Sequence, residues 1–165
     1  MIWLKTLLFT VIAPGTVTVL LPYLILSSKW NKAIPFPGAL RLFGLAPLLI
    51  GFGIYLWCAY DFAAKGRGTP APVDPPKQLV RSGLYRFTRN PMYVGIILIL
   101  LGEAIFFAGA ALFFYAAAVF IGFNGFILFY EEPTLRRLFG EPYLHYCAEV
   151  PRWLPKRLSN FRNSH

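Results

Sequence analysis

Ser82-Gly83-Leu84-Tyr85-Arg86-Phe87-Thr88-Arg89-Asn90-Pro91-Met92-Tyr93-Val94-Gly95 is where a polar, basic loop turns into a hydrophobic run. Two arginines, two tyrosines and a phenylalanine fall between Tyr85 and Tyr93. Pro91 suits the first turn of a helix, where a missing N–H costs nothing. The amides just after it point orphan donors, and the positive end of the helix dipole, toward the loop. Together with the arginines they suit a carboxylate or phosphate at a membrane surface. The tyrosines suit an adenine ring or a cationic centre. A second reading also fits this stretch taken alone: a basic border with interfacial aromatics that anchors a membrane helix.

Composition places the chain in a membrane. Hydrophobic residues make up 57% of the 165, charged residues 14%, and mean hydropathy is +0.56. A soluble domain carries nearer to about 25% charged residues. The apolar residues fall in blocks rather than stripes, the pattern of an integral membrane protein. The expected fold is all-α, with about four transmembrane helices in a single domain spanning residues 1–165.

Trp3 to Leu26 is long enough to span, with Lys5 snorkelling at its start and kinks at Pro14 or Pro22. A signal peptide is the alternative, but the run lacks a small-x-small cleavage site. After a short loop with Lys29 and Lys32, Leu42 to Phe62 forms the second span and ends beside Asp61. Residues 63–90 form the long polar connection, whose prolines between 66 and 76 favour an extended path. Met92 to Ala108 and Ala110 to Tyr130 are separated only by Gly109, so they form a tight hairpin. Glu131-Glu132-Pro133 ends it. The tail from Thr134 to Pro155 reads as an interfacial helix, with Leu135, Leu138 and Phe139 opposite Arg136 and Arg137.

Charge asymmetry gives an orientation. With four spans, thirteen of the sixteen basic residues share one side with both termini and the 63–90 loop; only Lys29, Lys32 and Arg41 lie opposite. The positive-inside rule makes the richer side cytoplasmic. Anionic phospholipid headgroups account for the net charge of +9, which calls for no nucleic acid.

Metal chemistry finds no support. His145, His165, Cys58 and Cys147 make no ligand spacing. Cys58 reads as a small core hydrophobe, and Cys147 as a reduced cytoplasmic thiol. Gly51 and Gly53 lie inside a span, where small residues serve helix packing. Glu103 lies in the middle of the third apolar block, where a carboxyl is either functional or a hydrogen-bonded structural acid. A hairpin also brings Arg89–Tyr93 and Glu131–Glu132 to one membrane-surface pocket. Either they form a binding site or an Arg89–glutamate salt bridge staples the hairpin.

These residues carry a resemblance. Leu79-Val80-x-Ser82-Gly83-x-Tyr85, continuing to Arg89-Asn90-Pro91-x-Tyr93-x-Gly95, resembles the signature of the isoprenylcysteine carboxyl methyltransferase family and its phospholipid methyltransferase relatives, in a short bacterial form. The second half fits as well: Glu131-Glu132-x-x-Leu135-x-x-x-Phe139-Gly140-x-x-Tyr143-x-x-Tyr146, then Val150-Pro151 and Pro155. The likeness covers residues 66 to 155, while the first two spans match only in being hydrophobic.

The resemblance implies S-adenosylmethionine-dependent methyl transfer in a helical membrane fold, with region 65–155 holding the cofactor. It implies Leu79, Val80, Tyr85, Asn90, Pro91, Met92, Tyr93 and Glu131 as cofactor contacts. Arg89, Glu131 and Glu132 are the candidate catalytic residues, and the acceptor is a lipid-like or prenylated molecule from the bilayer. The sulfonium is already activated, so the protein's task is to align nucleophile, methyl and sulfur and to exclude water. Carboxylate and thiolate acceptors demand no base; an amine must lose its proton, for which Glu131, Glu132 or Glu103 would serve.

Three positions depart from the prenylcysteine enzymes, which have histidine at Asn90 and Lys77 and an arginine at Ile127. Asparagine donates a hydrogen bond but carries no proton near neutral pH. Two other readings stay open. The Arg-Asn-Pro-x-Tyr run and Tyr146-Cys147-x-x-Val150-Pro151 also look like the carboxyl end of NADPH-dependent sterol reductases. A degenerate family member serving as a membrane scaffold is the other.

Overall fold

The computed structural model describes residues 12–29, 31–64 and 79–153, apart from the side chains of 62 and 63. The polar run at 66–76, Lys77, Lys5 and the basic terminus after Trp153 lie outside the described residues.

Six helices order the described chain: α1 (Ile12–Leu26), α2 (Leu45–Ala64), α3 (Pro91–Phe106), α4 (Ala110–Phe126), α5 (Glu132–Phe139) and α6 (Glu141–Glu149). Helical turns at Gly38–Arg41 and Leu42–Gly44 lead directly into α2, and a π turn at Ile127–Glu131 joins α4 to α5. The fold is therefore all-helical, with one extended pairing among the described residues, an isolated bridge between Ala33 and Gly109.

Two described helices are long and apolar enough to cross a membrane, Gly38–Asp61 and Ala110–Phe139, fewer than the four expected. The third apolar block falls short because Pro91 opens the helix and it closes at Phe106. Its 16 residues reach about 24 Å at 1.5 Å each, under the ~30 Å of a hydrocarbon core. Of the first block, the described helix comprises Ile12–Leu26. Large apolar side chains on the outer faces of α2 and α4 stay uncovered, Leu49, Phe52, Phe114 and Ile121 among them. Such a surface is what a lipid-facing bundle presents and a soluble monomer avoids.

Glycine sets the closest helix crossing. A Cβ at Gly51 would stand 2.5 Å from the Gly95 carbonyl oxygen, and one at Gly44 would stand 2.5 Å from that of Gly102. The two contacts are seven residues apart on antiparallel partners, so the backbone of α2, with the turn that leads into it, touches that of α3 along about two turns. Gly53, also expected to serve packing, has open space around its Cβ position. Behind this contact lie Tyr55, Ala59, Ile96, Leu100 and Ala116, the core shared by α2, α3 and α4. Tyr115 of α4 donates to the Val17 carbonyl at 2.8 Å and ties in α1.

Both π turns have a proline just beyond them. Thr16–Leu20 precedes Pro22, and Ile127–Glu131 precedes Pro133. A proline ring clashes with the carbonyl four residues back and offers it no N–H; widening the preceding turn accommodates both. Pro22, one of the two prolines expected to kink the first block, follows such a widened turn.

The hairpin tip differs in detail from a bare Gly109. Helix α3 ends before Phe107, and Ala108 turns the chain at φ 52°. Ile34 N–H donates to the Ala108 carbonyl at 2.7 Å, and Ala110 N–H to the Lys32 carbonyl at 3.0 Å, so the 31–36 loop caps the tip. Glu103 consequently sits in the last turn of α3, beside this tip, rather than mid-span: its own carbonyl accepts the Phe107 N–H at 2.9 Å.

The tail is two helices and not one. Gly140, at φ 55°, breaks it between α5 and α6. Leu135 and Phe139 turn inward onto Tyr143, Tyr146 and Val150, whereas Leu138 is exposed beside Arg136 and Arg137. The expected Leu135–Leu138–Phe139 face is thus split.

Candidate active site

Three chain segments meet where α3 begins. Gly83 starts a 3-10 turn, Gly83–Arg86, at φ 63°, and a Cβ there would collide with Asp61 Oδ2 of α2. Only glycine fits this left-handed position against a buried carboxylate. Tyr85 packs inward from that turn onto Cys58 and Val80. Burial, and then the neighbouring Cys58, push its phenol well above the ordinary range, so it stays neutral.

The chain then passes Thr88, Arg89 and Asn90, which lie against a strap formed by Pro151–Trp153. Arg89 N–H donates to the Pro151 carbonyl at 2.9 Å. Thr88 Oγ1 and Asn90 Nδ2 both donate to the Arg152 carbonyl, at 2.9 and 3.2 Å. The amide hydrogen bond left to Asn90 is therefore spent on the strap. Trp153 fixes the strap's end by donating Nε1–H to Asn124 Oδ1 at 3.0 Å and packing on Phe120. Tyr146 completes the frame from α6, donating its hydroxyl to the Tyr85 carbonyl at 2.7 Å.

Across the hairpin the two glutamates part ways. Glu132 is buried, and Arg152 grips it with both Nε (2.9 Å to Oε1) and Nη2 (3.1 Å to Oε2). Arg89 Nη1 adds a bond of 3.1 Å to Oε1 and also reaches Cys147 Sγ at 2.8 Å. Arg136 stands 3.8 Å from Oε2. Glu131, one residue earlier and rotated by about 100° on its helix, instead accepts the Tyr93 hydroxyl at 2.9 Å.

A cavity of about 270 Å³ lies between these groups and α1. Its lining combines the polar Arg89, Asn90, Tyr93 and Glu131 with the apolar Val17, Ile96, Phe123 and Phe126. Tyr85 and Met92 line it as well. Helix α3 has no side-chain cap, so its first amides remain donors at the cavity's edge. Arg89 Nε is buried without a hydrogen-bond partner among the described residues. A second, larger cavity of about 580 Å³ lies on the opposite face of α3, against Pro91, Val94 and Leu98. Thr88 and Trp153 border it, and its remaining walls are apolar or aromatic.

Six of the residues expected at the site therefore share one cavity: Tyr85, Arg89, Asn90, Met92, Tyr93 and Glu131. Pro91 faces the other cavity. Leu79 packs on the Tyr143–Tyr146–Val150 cluster and Val80 on Cys58 and Tyr85, so both support the site from behind. Glu132 is held within the arginine cluster. The contact of Arg152 with Glu132 is not legible in the motif that contains Val150-Pro151; the signal available is the basic residue that follows it at once.

The family profile described as phospholipid methyltransferase matches residues 40–142. The chain belongs to the phospholipid methyltransferase family. The match takes in α2, which the motif resemblance left out, and stops before Tyr143, so the strap lies beyond it. Methyl transfer is the chemistry of the phospholipid methyltransferase family by its own description, and a membrane is its setting. No curated protein matches the chain.

Proposed function

We propose that this protein is an S-adenosylmethionine-dependent methyltransferase acting on a lipid-like acceptor, threaded four times through a bilayer that thins locally to meet the short α3, with the α3 amino terminus and both chain termini on the cytoplasmic side. The observation that carries the reading is the mixed lining of the 270 Å³ cavity, where Arg89, Asn90, Tyr93 and Glu131 stand among apolar and aromatic side chains. An amphiphile with a charged head finds partners for both of its parts in such a lining.

The donor set suits the cofactor. Arg89, with its spare buried Nε–H, and the uncapped amides of α3 match a carboxylate. Glu131 matches an ammonium or a pair of ribose hydroxyls, and Tyr85 and Tyr93 offer aromatic faces for a purine. When bound, the cofactor supplies a methyl group on a positively charged sulfur.

The residues' own work is positioning. Tyr93 holds Glu131 at one orientation, and the tilted Tyr93–Phe123 pair, centroids 4.6 Å apart, fixes the ring. Those aromatics and α1 keep water from the reacting groups. For an amine acceptor, Glu131 is the carboxylate in the cavity able to take a proton. Glu132 is committed to its arginines, and Glu103 lies at the other end of α3. Asn90, already bonded to the strap, carries no proton.

Equilibrium binding to the purified protein in detergent tests the reading. S-adenosylmethionine is expected to bind and NADPH is not. Binding of NADPH alone would assign the cavity to a reductase, and binding of neither would leave a scaffold.

A further inference from the structure

We propose that Arg152 is a positioning residue: by holding Glu132 it sets the rotation of the Ile127–Glu131 turn and so aims Glu131 into the cavity. The inference rests on the cofactor reading of that cavity and adds to it a residue outside the family's matched region.

The geometry is that of a clamp. Arg152 presents two nitrogens to the two oxygens of Glu132, at 2.9 and 3.1 Å, while Arg89 reaches the same carboxylate from the other side at 3.1 Å. A forked guanidinium fixes direction as well as distance, which a single charge does not. Glu132 and Glu131 are consecutive on one helical path, so locking the first side chain fixes the azimuth of the second. That matters because the segment is a π turn ahead of Pro133, a place where the regular ladder cannot by itself dictate the rotation. Among the described residues, Glu131 is then hydrogen-bonded on the cavity side by Tyr93.

The clamp is separable from the strap that bears it. Thr88 and Asn90 hold Arg152 by its backbone carbonyl, and Trp153 anchors the next residue. Replacing the side chain leaves these bonds in place. Arg152→Ala therefore removes the grip on Glu132 with the strap still docked, and Arg152→Lys restores a charge without the fork.

Two measurements test the proposal. The first needs no cofactor: a hydrophobic carbodiimide is applied to the protein in detergent, and modification of Glu131 and Glu132 is read separately by peptide mass spectrometry. In the unaltered protein Glu131 is expected to be modified from the cavity and Glu132 spared. In Arg152→Ala the preference is expected to collapse to near parity, and in Arg152→Lys to fall partway. The second is S-adenosylmethionine affinity, expected to drop about tenfold in Arg152→Ala, or ~1.4 kcal/mol. A compensating Glu132→Gln in that variant removes a buried charge left, among the described residues, with only Arg89 and the more distant Arg136 of its three arginines, so melting temperature is expected to recover in part while affinity stays low. An unchanged modification pattern in Arg152→Ala overturns the proposal, as does affinity that recovers in step with melting temperature. If the unaltered protein binds no S-adenosylmethionine, the functional reading fails, and the modification pattern alone decides the role of Arg152.

Discussion

Tyr93 donates its hydroxyl to Glu131 Oε2 across 2.9 Å, joining the first turn of α3 to the π turn that closes α4. The bond spans the open end of the hairpin, and its two side chains share the wall of the cavity with Arg89. Staple and cavity wall are thus built from the same atoms.

Those two roles predict different variants. Glu131→Gln keeps the side chain's shape and a Tyr93 hydrogen bond, but loses the charge a cofactor ammonium or ribose would meet. Affinity for S-adenosylmethionine should fall about ten- to a hundredfold, since a buried charge-assisted contact is worth roughly 2–3 kcal/mol. Tyr93→Phe should cost less, ~0.5–1.5 kcal/mol, because it removes one neutral donor. Titration of both variants by calorimetry checks the order; equal and unaltered affinities would make the pair a staple only.

The α2–α3 crossing predicts a contrast between two glycines on one helix. Gly51→Leu has nowhere to go, its Cβ meeting the Gly95 carbonyl oxygen at 2.5 Å. It should destabilise by at least the ~1–3 kcal/mol typical of overpacking, or part the helices. Gly53 faces open space, so Gly53→Ala should be neutral or stabilise by about 0.5–1 kcal/mol through helix propensity. Thermal unfolding in one detergent measures both. Similar losses in the two variants would contradict the close crossing.

Gly83 should be the least replaceable position of the loop. Gly83→Ala combines a left-handed φ of 63° with a collision at Asp61 Oδ2. The backbone cost alone is ~1–2 kcal/mol, and the displaced turn carries Tyr85 away from the cavity. Loss of cofactor affinity alongside a lower melting temperature is expected. A folded variant with full affinity would show that the turn does not position the site.

Much of this arrangement was legible because it is encoded by residues with few alternatives. Pro91 after a basic-aromatic loop fixed where α3 begins, and Gly109 among small neighbours fixed the hairpin, so Arg89 and Glu131–Glu132 had to converge. What stayed hidden depends on direction. Nothing in the adjacent pair Glu131-Glu132 says which carboxyl meets arginines and which meets Tyr93; the π turn ahead of Pro133 decides it. Arg152 was counted among the membrane-surface charges because its partner lies 20 positions away. Likewise a run of apolar residues gave the third block its length but not its end, which Ala108 sets by turning the chain at φ 52°.

The proposed topology puts Ala33, on the loop capping the hairpin tip, on the opposite side from Arg137 on α5. In a background lacking Cys58 and Cys147, single cysteines at 33 and 137 should react with an impermeant maleimide from opposite faces of sealed vesicles. Position 33 is expected outside and 137 inside. Labelling of both from one face would sink the four-span arrangement and leave a bundle that enters the membrane by fewer helices.

The last prediction is that the acceptor arrives from the bilayer and not from the cytosol. The polar groups of the cavity, Arg89, Asn90, Tyr93 and Glu131, share its lining with the apolar Val17 of α1 and Phe123 and Phe126 of α4. A water-soluble acceptor gains nothing from those apolar side chains, whereas each methylene of a lipid tail laid along them is worth about 0.8 kcal/mol. The outer faces of α2 and α4 are uncovered and apolar, so the bundle sits among molecules of that kind. An acceptor entering laterally would bring its polar head beside Tyr93 and Glu131 with its tail still in hydrocarbon. Two mixtures separate the cases: purified protein with methyl-labelled S-adenosylmethionine and extracted membrane lipids, and the same protein with soluble metabolites. Label is expected in the organic phase of the first, and Phe123→Ala should reduce it by raising the apparent KM for lipid more than it lowers kcat. Label confined to a water-soluble product would overturn the lateral route and reduce the membrane to the place where the enzyme is moored.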